Sequence, residues 1–119
     1  HGVIIPKRRS VGLTATVAKA SAGAVEYMKV AKVSNINSAI AELKEKGVWV
    51  FGTAVEGSVP MYKADLSGPT AIVIGSEGDG MSRLVRESCD VTVHIPMRGR
   101  ITSLNASAAA SILLYELSR

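Results

Sequence analysis

Ala71-Ile72-Val73-Ile74-Gly75-Ser76-Glu77-Gly78-Asp79-Gly80-Met81 decides how this chain is read. Four apolar residues without polar alternation lead into a turn holding three glycines, and Ser82–Ser88 then has helical spacing. An unbroken apolar run of that length suits a strand covered on both faces, the habit of parallel sheets. Glycines in the turn let main-chain amides come close to a ligand. No Gly-Lys-Ser/Thr follows, so the turn is not a P-loop. Its glycines run G-x-x-G-x-G, which is not the dinucleotide fingerprint. Two readings stay open: a tight strand-to-helix turn without ligand, and a loop built around one. Glu77 bears on that choice, because a carboxylate inside a glycine turn is rarely needed for packing. It is either a solvated charge or a group that holds a ligand or a neighbouring loop.

Outward from this stretch, short apolar runs alternate with helix-period segments, the pattern of an α/β fold with a mostly parallel sheet flanked by helices. Strands are expected at Val3–Ile5, Met28–Val33, Val48–Thr53, Ala71–Gly75 and Val91–Ile95. Val48-Trp49-Val50-Phe51 again lacks alternation, which predicts burial on both sides. Ser34 or Asn35 is placed to cap a helix with apolar positions Ile36, Ala39, Ile40 and Leu43, ended by Gly47. Glu42 and Lys46 are spaced as an i,i+4 pair on its outer side. Thr14–Ala24 reads as a short small-residue helix, and Ser82 as the cap of another.

From Leu104 to Leu117 the helix pattern is apolar on two sides. Leu104, Ala108 and Ile112 form one stripe; Ala109, Leu113 and Leu117 form another. Such a helix packs against two things. It is either buried in its own domain or an edge helix that also forms a homodimer interface, with Leu113 as a residue of that face. Ala106, Ser107 and Ala110 would permit close backbone approach.

Two more loops follow strands. Gly52-Thr53-Ala54-Val55-Glu56-Gly57 closes the second buried run. His94-Ile95-Pro96-Met97-Arg98-Gly99-Arg100-Ile101-Thr102-Ser103-Leu104-Asn105 leaves a strand, turns and enters the last helix. Ser103 by itself is most simply a helix cap. Asn105 is a polar amide at the start of an apolar helix, and a buried amide needs partners. Loops at strand C-termini are where parallel α/β sheets bind small molecules. His94 is expected to be a strand residue with a satisfied ring, and Cys89 a small buried hydrophobe.

Composition bounds the rest. At 119 residues with 47% hydrophobic and 20% charged, the chain suits one domain with a conventional core. The single cysteine excludes an intramolecular disulfide and CxxC zinc sites, and two histidines leave no multi-His metal centre. No apolar run approaches the roughly 20 residues that span a membrane. A reducing, cytoplasmic setting is expected, without membrane or metal. The net charge of +4 makes a polyanionic partner reasonable. Aromatic residues are too few, at 4%, for a base-stacking platform, so nucleic acid would be gripped by backbone and shape. The chain opens on His1 and runs at once into a strand pattern, and is read as a fragment of something longer.

Taken together, GSEGDGM, HIPM and SLNAS entering an apolar helix resemble the second and third motifs of the SpoU family. These are the TrmH-like RNA ribose 2′-O-methyltransferases of the SPOUT class. HGVIIPKRRS, TVAKASAGA, VWVFGTAVEG, DLSGP and RLVRESCD fall in the family's order as well, so the resemblance covers nearly the whole chain. It is nearest to the bacterial enzymes that methylate a guanosine ribose in 23S rRNA.

The resemblance implies an α/β sheet whose C-terminal segment forms a deep trefoil knot, a rare exception in chain topology. It implies S-adenosyl-L-methionine held mainly by main-chain groups, at Gly52 and Thr53 in the first loop, Gly75 in the second, and Ile95 and Leu104 in the third. Catalytic roles carry over to Glu77, Ser103 and Asn105, and RNA contacts are expected at Arg98 and Arg100, with Lys7-Arg8-Arg9 as further basic residues. The family's motif-one arginine would lie before His1. Residues 1–119 are therefore expected to be a methyltransferase domain without its first motif and upstream substrate-binding domain, dimeric through the C-terminal helix. Three alternatives remain: a catalytically incomplete RNA-binding or dimerisation module of the same fold, a tRNA 2′-O-methyltransferase, and a flavodoxin-like nucleotide-binding domain.

Overall fold

The computed structural model describes residues 2–6, 29–54, 57–75, 81–97 and 106–118. In chain order the elements are β1 (Gly2–Pro6), β2 (Lys29–Val33), α1 (Ile36–Glu45), β3 (Trp49–Thr53), β4 (Val59–Pro60), β5 (Thr70–Val73), α2 (Arg83–Ser88), β6 (Val91–His94) and α3 (Ala106–Ser118), with a 3-10 turn at Met61–Lys63. The chain divides into two compact units, His1–Ala39 and Ile40–Arg119, with the boundary inside α1.

In the first unit β1 and β2 pair in parallel, from Gly2 beside Lys29 to Pro6 beside Val33. Asn35 starts α1 as expected: its Oδ1 accepts from Ser38 N at 3.1 Å. The expected helix at Thr14–Ala24 and the basic run Lys7–Arg9 lie outside the described residues.

In the second unit α1 stops at Gly47, whose φ of 83° is left-handed and suits glycine. The helix ends at Glu45, so Lys46 lies past its last turn. Glu42 and Lys46 are consequently joined through main chains, Lys46 N donating to Glu42 O at 3.3 Å. Four parallel strands follow in the order β4-β6-β3-β5. The mixed α/β class with parallel sheets is as the sequence led us to expect.

Strand β3 lies between β5 and β6, and its middle is the best covered part of the unit. Phe51 packs with Val93 and Leu113 on one face, ringed by half-buried Met61, Ala64, Leu66, Ile72, Ile74, Val91 and Ile95. Val50 is fully buried. Trp49 departs from expectation, being 57% exposed. It pairs only with Thr70 of β5, because the ladder to β6 begins two residues later at Phe51 beside Val91.

Strand β4 was not expected. It has two residues, one a proline, and pairs at the sheet edge with Val93 and His94; proline's missing N–H is tolerated there. Helix α2 begins where predicted, Ser82 Oγ accepting from Val85 N at 3.3 Å. Before β5, Asp65 Oδ1 accepts from Ser67 N and Oγ, closing the turn that precedes left-handed Gly68. Those bonds hold the exposed Asp65 carboxyl below its usual pKa, the Ser67 hydroxyl contributing most.

Helix α3 corrects one expectation. Leu113 is 1% exposed and belongs to the core of its own subunit, against Phe51 and Val93. The large apolar residues that α3 turns outward are Ile112, Leu114 and Tyr115, the last two 58% and 68% exposed. A helix apolar all round does not reveal from its sequence which stripe faces inward.

Candidate ligand site at the ends of the strands

Because β3, β5 and β6 are parallel, their C-terminal ends come together at one edge of the sheet. Thr53 ends β3 beside Val93 of β6, and the next amide, Ala54 N, donates to Val93 O at 3.0 Å. On its other side the Thr53 hydroxyl donates to Val73 O at 3.1 Å and accepts from Gly75 N at 3.3 Å. One side chain thus joins the ends of β3 and β5 with both its donor and its acceptor. The Thr53 hydroxyl is therefore engaged as both donor and acceptor. The Gly75 N–H is taken by the second of these bonds.

Gly52 is buried one residue earlier. A Cβ there would lie 2.7 Å from Met81 Cε, 2.8 Å from Cys89 Sγ and 2.9 Å from Met81 Sδ. Real Cβ atoms essentially never approach so closely, and of the two neighbours only Met81 presents the far end of a long flexible side chain. Glycine is thus required for Met81 and Cys89 to sit against the strand. Cys89 is half-buried, with Sγ donating to Val85 O at 3.3 Å. Burial pushes its thiol pKa up, and the neighbouring Asp90 charge adds to this while Lys44 opposes it.

The far side of the first loop is fastened to β6. Ser58 Oγ donates to Ala54 O at 2.7 Å and lies 2.8 Å from His94 Nδ1. With its hydroxyl proton directed at Ala54 O, Ser58 accepts from an Nδ1–H, which fixes the imidazole tautomer. Thr92 Oγ1 donates to Gly57 O at 3.4 Å. His94 is thus a strand residue, as expected, with its Nδ1 paired to Ser58.

Ile95 follows β6 and packs on the Phe51–Val93–Leu113 core, as Ile74 does beyond β5. Among the expected cofactor contacts, Gly52, Thr53, Gly75 and Ile95 are thus gathered at the ends of three neighbouring strands. Leu104 lies outside the described residues, as do Glu77, Arg98, Arg100, Ser103 and Asn105. Met81, Ser58 and Cys89 were missed as neighbours of this edge. The only local signals for them were the glycine preceding Ser58 and the position of Met81 closing the glycine turn.

Elsewhere, a shallow pocket is lined by Ile40, Ala41, Lys44 and Ser88. Its one charged group is already engaged, Lys44 Nζ donating to Ser88 O at 3.1 Å and lying 3.6 Å from Asp90 Oδ1. No group of three or more potential metal ligands occurs among the described residues. No described helix is long and apolar enough to cross a membrane.

Comparison with known proteins agrees with this arrangement. The chain matches the SpoU rRNA Methylase family over residues 1–115. It is 54% identical over all of its 119 residues to YacO of Bacillus subtilis, assigned to the TrmH family of tRNA/rRNA methyltransferases, and covers 48% of that protein. It is 50% identical, again over its full length and 48% of the relative, to the 23S rRNA (guanosine-2′-O-)-methyltransferase RlmB of Ralstonia nicotianae. The chain spans about half the length of the curated relatives it matches. Among solved structures, the SpoU methyltransferase AviRb of Streptomyces viridochromogenes, in complex with AdoMet, superimposes with a TM-score of 0.89 at 29% identity, over 98% of this chain and 46% of that one. With the match running from His1 almost to the last residue and relatives half-identical throughout, the chain belongs to the SpoU rRNA methylase family.

Proposed function

We propose that residues 1–119 form the methyltransferase domain of an S-adenosylmethionine-dependent RNA ribose 2′-O-methyltransferase, acting on a guanosine of 23S rRNA. The observation that carries this reading is the tie between strand ends: Thr53 bonded to Val73 O and Gly75 N, and Ala54 N bonded to Val93 O. It brings to one edge the ends of the three strands that lead into the loops carrying the family motifs.

The residues there suit the cofactor. Ile74 and Ile95 supply a half-buried apolar wall, and the main chains of Thr53 and Gly75 supply polar atoms at its rim. An adenine takes such a setting, its faces apolar and its edge read by backbone groups. Gly52 precedes Thr53 on β3, and by the family resemblance Leu104 is assigned to the same slot. When bound, S-adenosylmethionine supplies an electrophilic methyl group.

A ribose 2′-hydroxyl is a very weak acid, so transfer needs alignment and help in removing the proton. We assign alignment to Asn105 and Ser103 at the entry of α3, and Glu77 to holding the second loop. Arg98 and Arg100 are assigned to RNA phosphates. The C-terminal segment is proposed to form the trefoil knot, and the outward face of α3, with Leu114 and Tyr115, to join two copies in a homodimer. The activity of the Ralstonia relative RlmB, a 23S rRNA guanosine 2′-O-methyltransferase, favours 23S rRNA over tRNA as substrate.

Methyl transfer from labelled S-adenosylmethionine to 23S rRNA and to total tRNA, with nucleoside mass spectrometry, tests the proposal. A 2′-O-methylguanosine in 23S rRNA is expected. Modified tRNA alone would replace the substrate, and cofactor binding without transfer to either would favour the non-catalytic module.

A further inference from the structure

The Thr53 hydroxyl and the Met81 thioether do more for this edge than fill space. Thr53 and Gly52 are consecutive residues of β3. Thr53 holds Gly75, the residue on one side of the 76–80 connection, through a hydrogen bond to its amide. Gly52 receives Met81, the residue on the other side, against its bare Cα. Two adjacent positions of one buried strand therefore fasten both flanks of the family's second motif, one by a polar contact and one by an apolar one.

We propose that Thr53 and Met81 are positioning residues, which set the Gly75 main chain for the adenosyl cofactor by locking both flanks of that motif onto β3. This rests on the cofactor reading given above. The two contacts differ in what they demand. The Thr53 tie needs a hydroxyl, because it uses one donor and one acceptor on the same oxygen. A methyl in its place leaves Val73 O and Gly75 N without that partner. The Met81 contact needs length without a branch, since the side chain reaches over a glycine that has no Cβ to meet it. Neither group is required to touch the cofactor: Thr53 acts through its bond to Gly75, and Met81 through its seat on Gly52 at the other flank.

The test uses the intact protein and three variants, Thr53→Val, Thr53→Ser and Met81→Ala, with two readouts. Calorimetric titration with S-adenosylhomocysteine gives affinity, and amide hydrogen exchange followed by NMR gives protection at Gly75. Thr53→Val is expected to weaken binding at least tenfold and to speed exchange at Gly75. Its KM for S-adenosylmethionine should rise by more than kcat falls, and Thr53→Ser should recover most of both losses. Met81→Ala should weaken binding severalfold with the Thr53 tie intact, and it serves as the independent variant if Thr53→Val does not fold. Binding within twofold of wild type in either folded variant overturns the proposal, as does unchanged Gly75 exchange in Thr53→Val. A wild-type protein that binds no S-adenosylhomocysteine overturns the cofactor reading and this inference with it. The hydrogen-exchange result distinguishes that failure from a failure of the tie itself.

Discussion

Asp90 and Val50 hold each other twice. Asp90 N donates to Val50 O at 2.8 Å, and Val50 N donates to Asp90 Oδ2 at 2.8 Å. A side chain thereby completes the ladder between β3 and β6 just before Phe51 and Val91 begin to pair. Lys44, 3.6 Å from the other carboxylate oxygen, links the end of α1 to the same point. Asp90→Ala leaves the Val50 amide of a fully buried residue without its acceptor, and should cost about 1–3 kcal/mol. Urea unfolding of the two proteins measures it; an unchanged midpoint would mean the bond contributes nothing net.

Gly52→Ala should destabilise by about 1–3 kcal/mol, the usual cost of overpacking. Met81 can swing aside, but Cys89 Sγ, 2.8 Å from the added carbon, sits on a short side chain anchored to Val85 O. Cys89→Ala introduced into the Gly52→Ala background is therefore expected to recover part of the loss in thermal unfolding.

Much of the frame was legible from sequence because it is written locally. The caps at Asn35 and Ser82 and the stop at Gly47 each depend on residues within a turn of one another. Unbroken apolar runs gave β3 and β5. Strand β4 carries no such signal, since two residues that include Pro60 have no periodicity to read. Trp49 shows the same limit, because its exposure follows from where the β6 ladder begins and not from its own run. At the site, Thr53, Gly75 and Ile95 came from the family resemblance, and their meeting at one edge follows from the common direction of β3, β5 and β6. The partners of Gly52 were not legible, since Met81 and Cys89 lie far along the chain and meet it only once the strands are side by side.

Cys89 should react slowly with iodoacetamide in the native protein at neutral pH and faster once unfolded, because the thiolate is the nucleophile and burial disfavours it. The linkage has a definite sign. A thiol whose folded pKa is raised above its ordinary 9.0 binds its proton more tightly when folded, so its contribution is complete below that value. It is lost as pH rises past 9.0 and through the folded value. Alkaline unfolding of Cys89→Ser compared with wild type reads this contribution.

The two faces of α3 should separate cleanly. Leu113→Ala removes a residue packed on Phe51 and Val93 and should cost about 2–5 kcal/mol. Leu114→Glu combined with Tyr115→Glu changes exposed positions and should leave the melting temperature of the subunit nearly unchanged. If α3 pairs two copies, that double substitution shifts the mass measured by light scattering from dimer to monomer. An unaltered dimer would place the interface elsewhere.

Asn105→Ala should lower methyl transfer by about a hundredfold or more while leaving S-adenosylhomocysteine binding in place, the scale expected when a group that aligns the reacting hydroxyl is lost. Single-turnover transfer to 23S rRNA is the measurement. Wild-type rates would remove Asn105 from the catalytic set.

The common direction of β3, β5 and β6 has a consequence for how this chain tolerates change. Where the strands begin, Asp90, Lys44 and Ser88 are bound to one another and to the main chain. Where they finish, the Thr53 bridge and the Met81 contact stand instead. The two rims of one layer are thereby fastened by separate sets of contacts, so a designer can reinforce the first without altering the bonds that shape the proposed cofactor edge at the second.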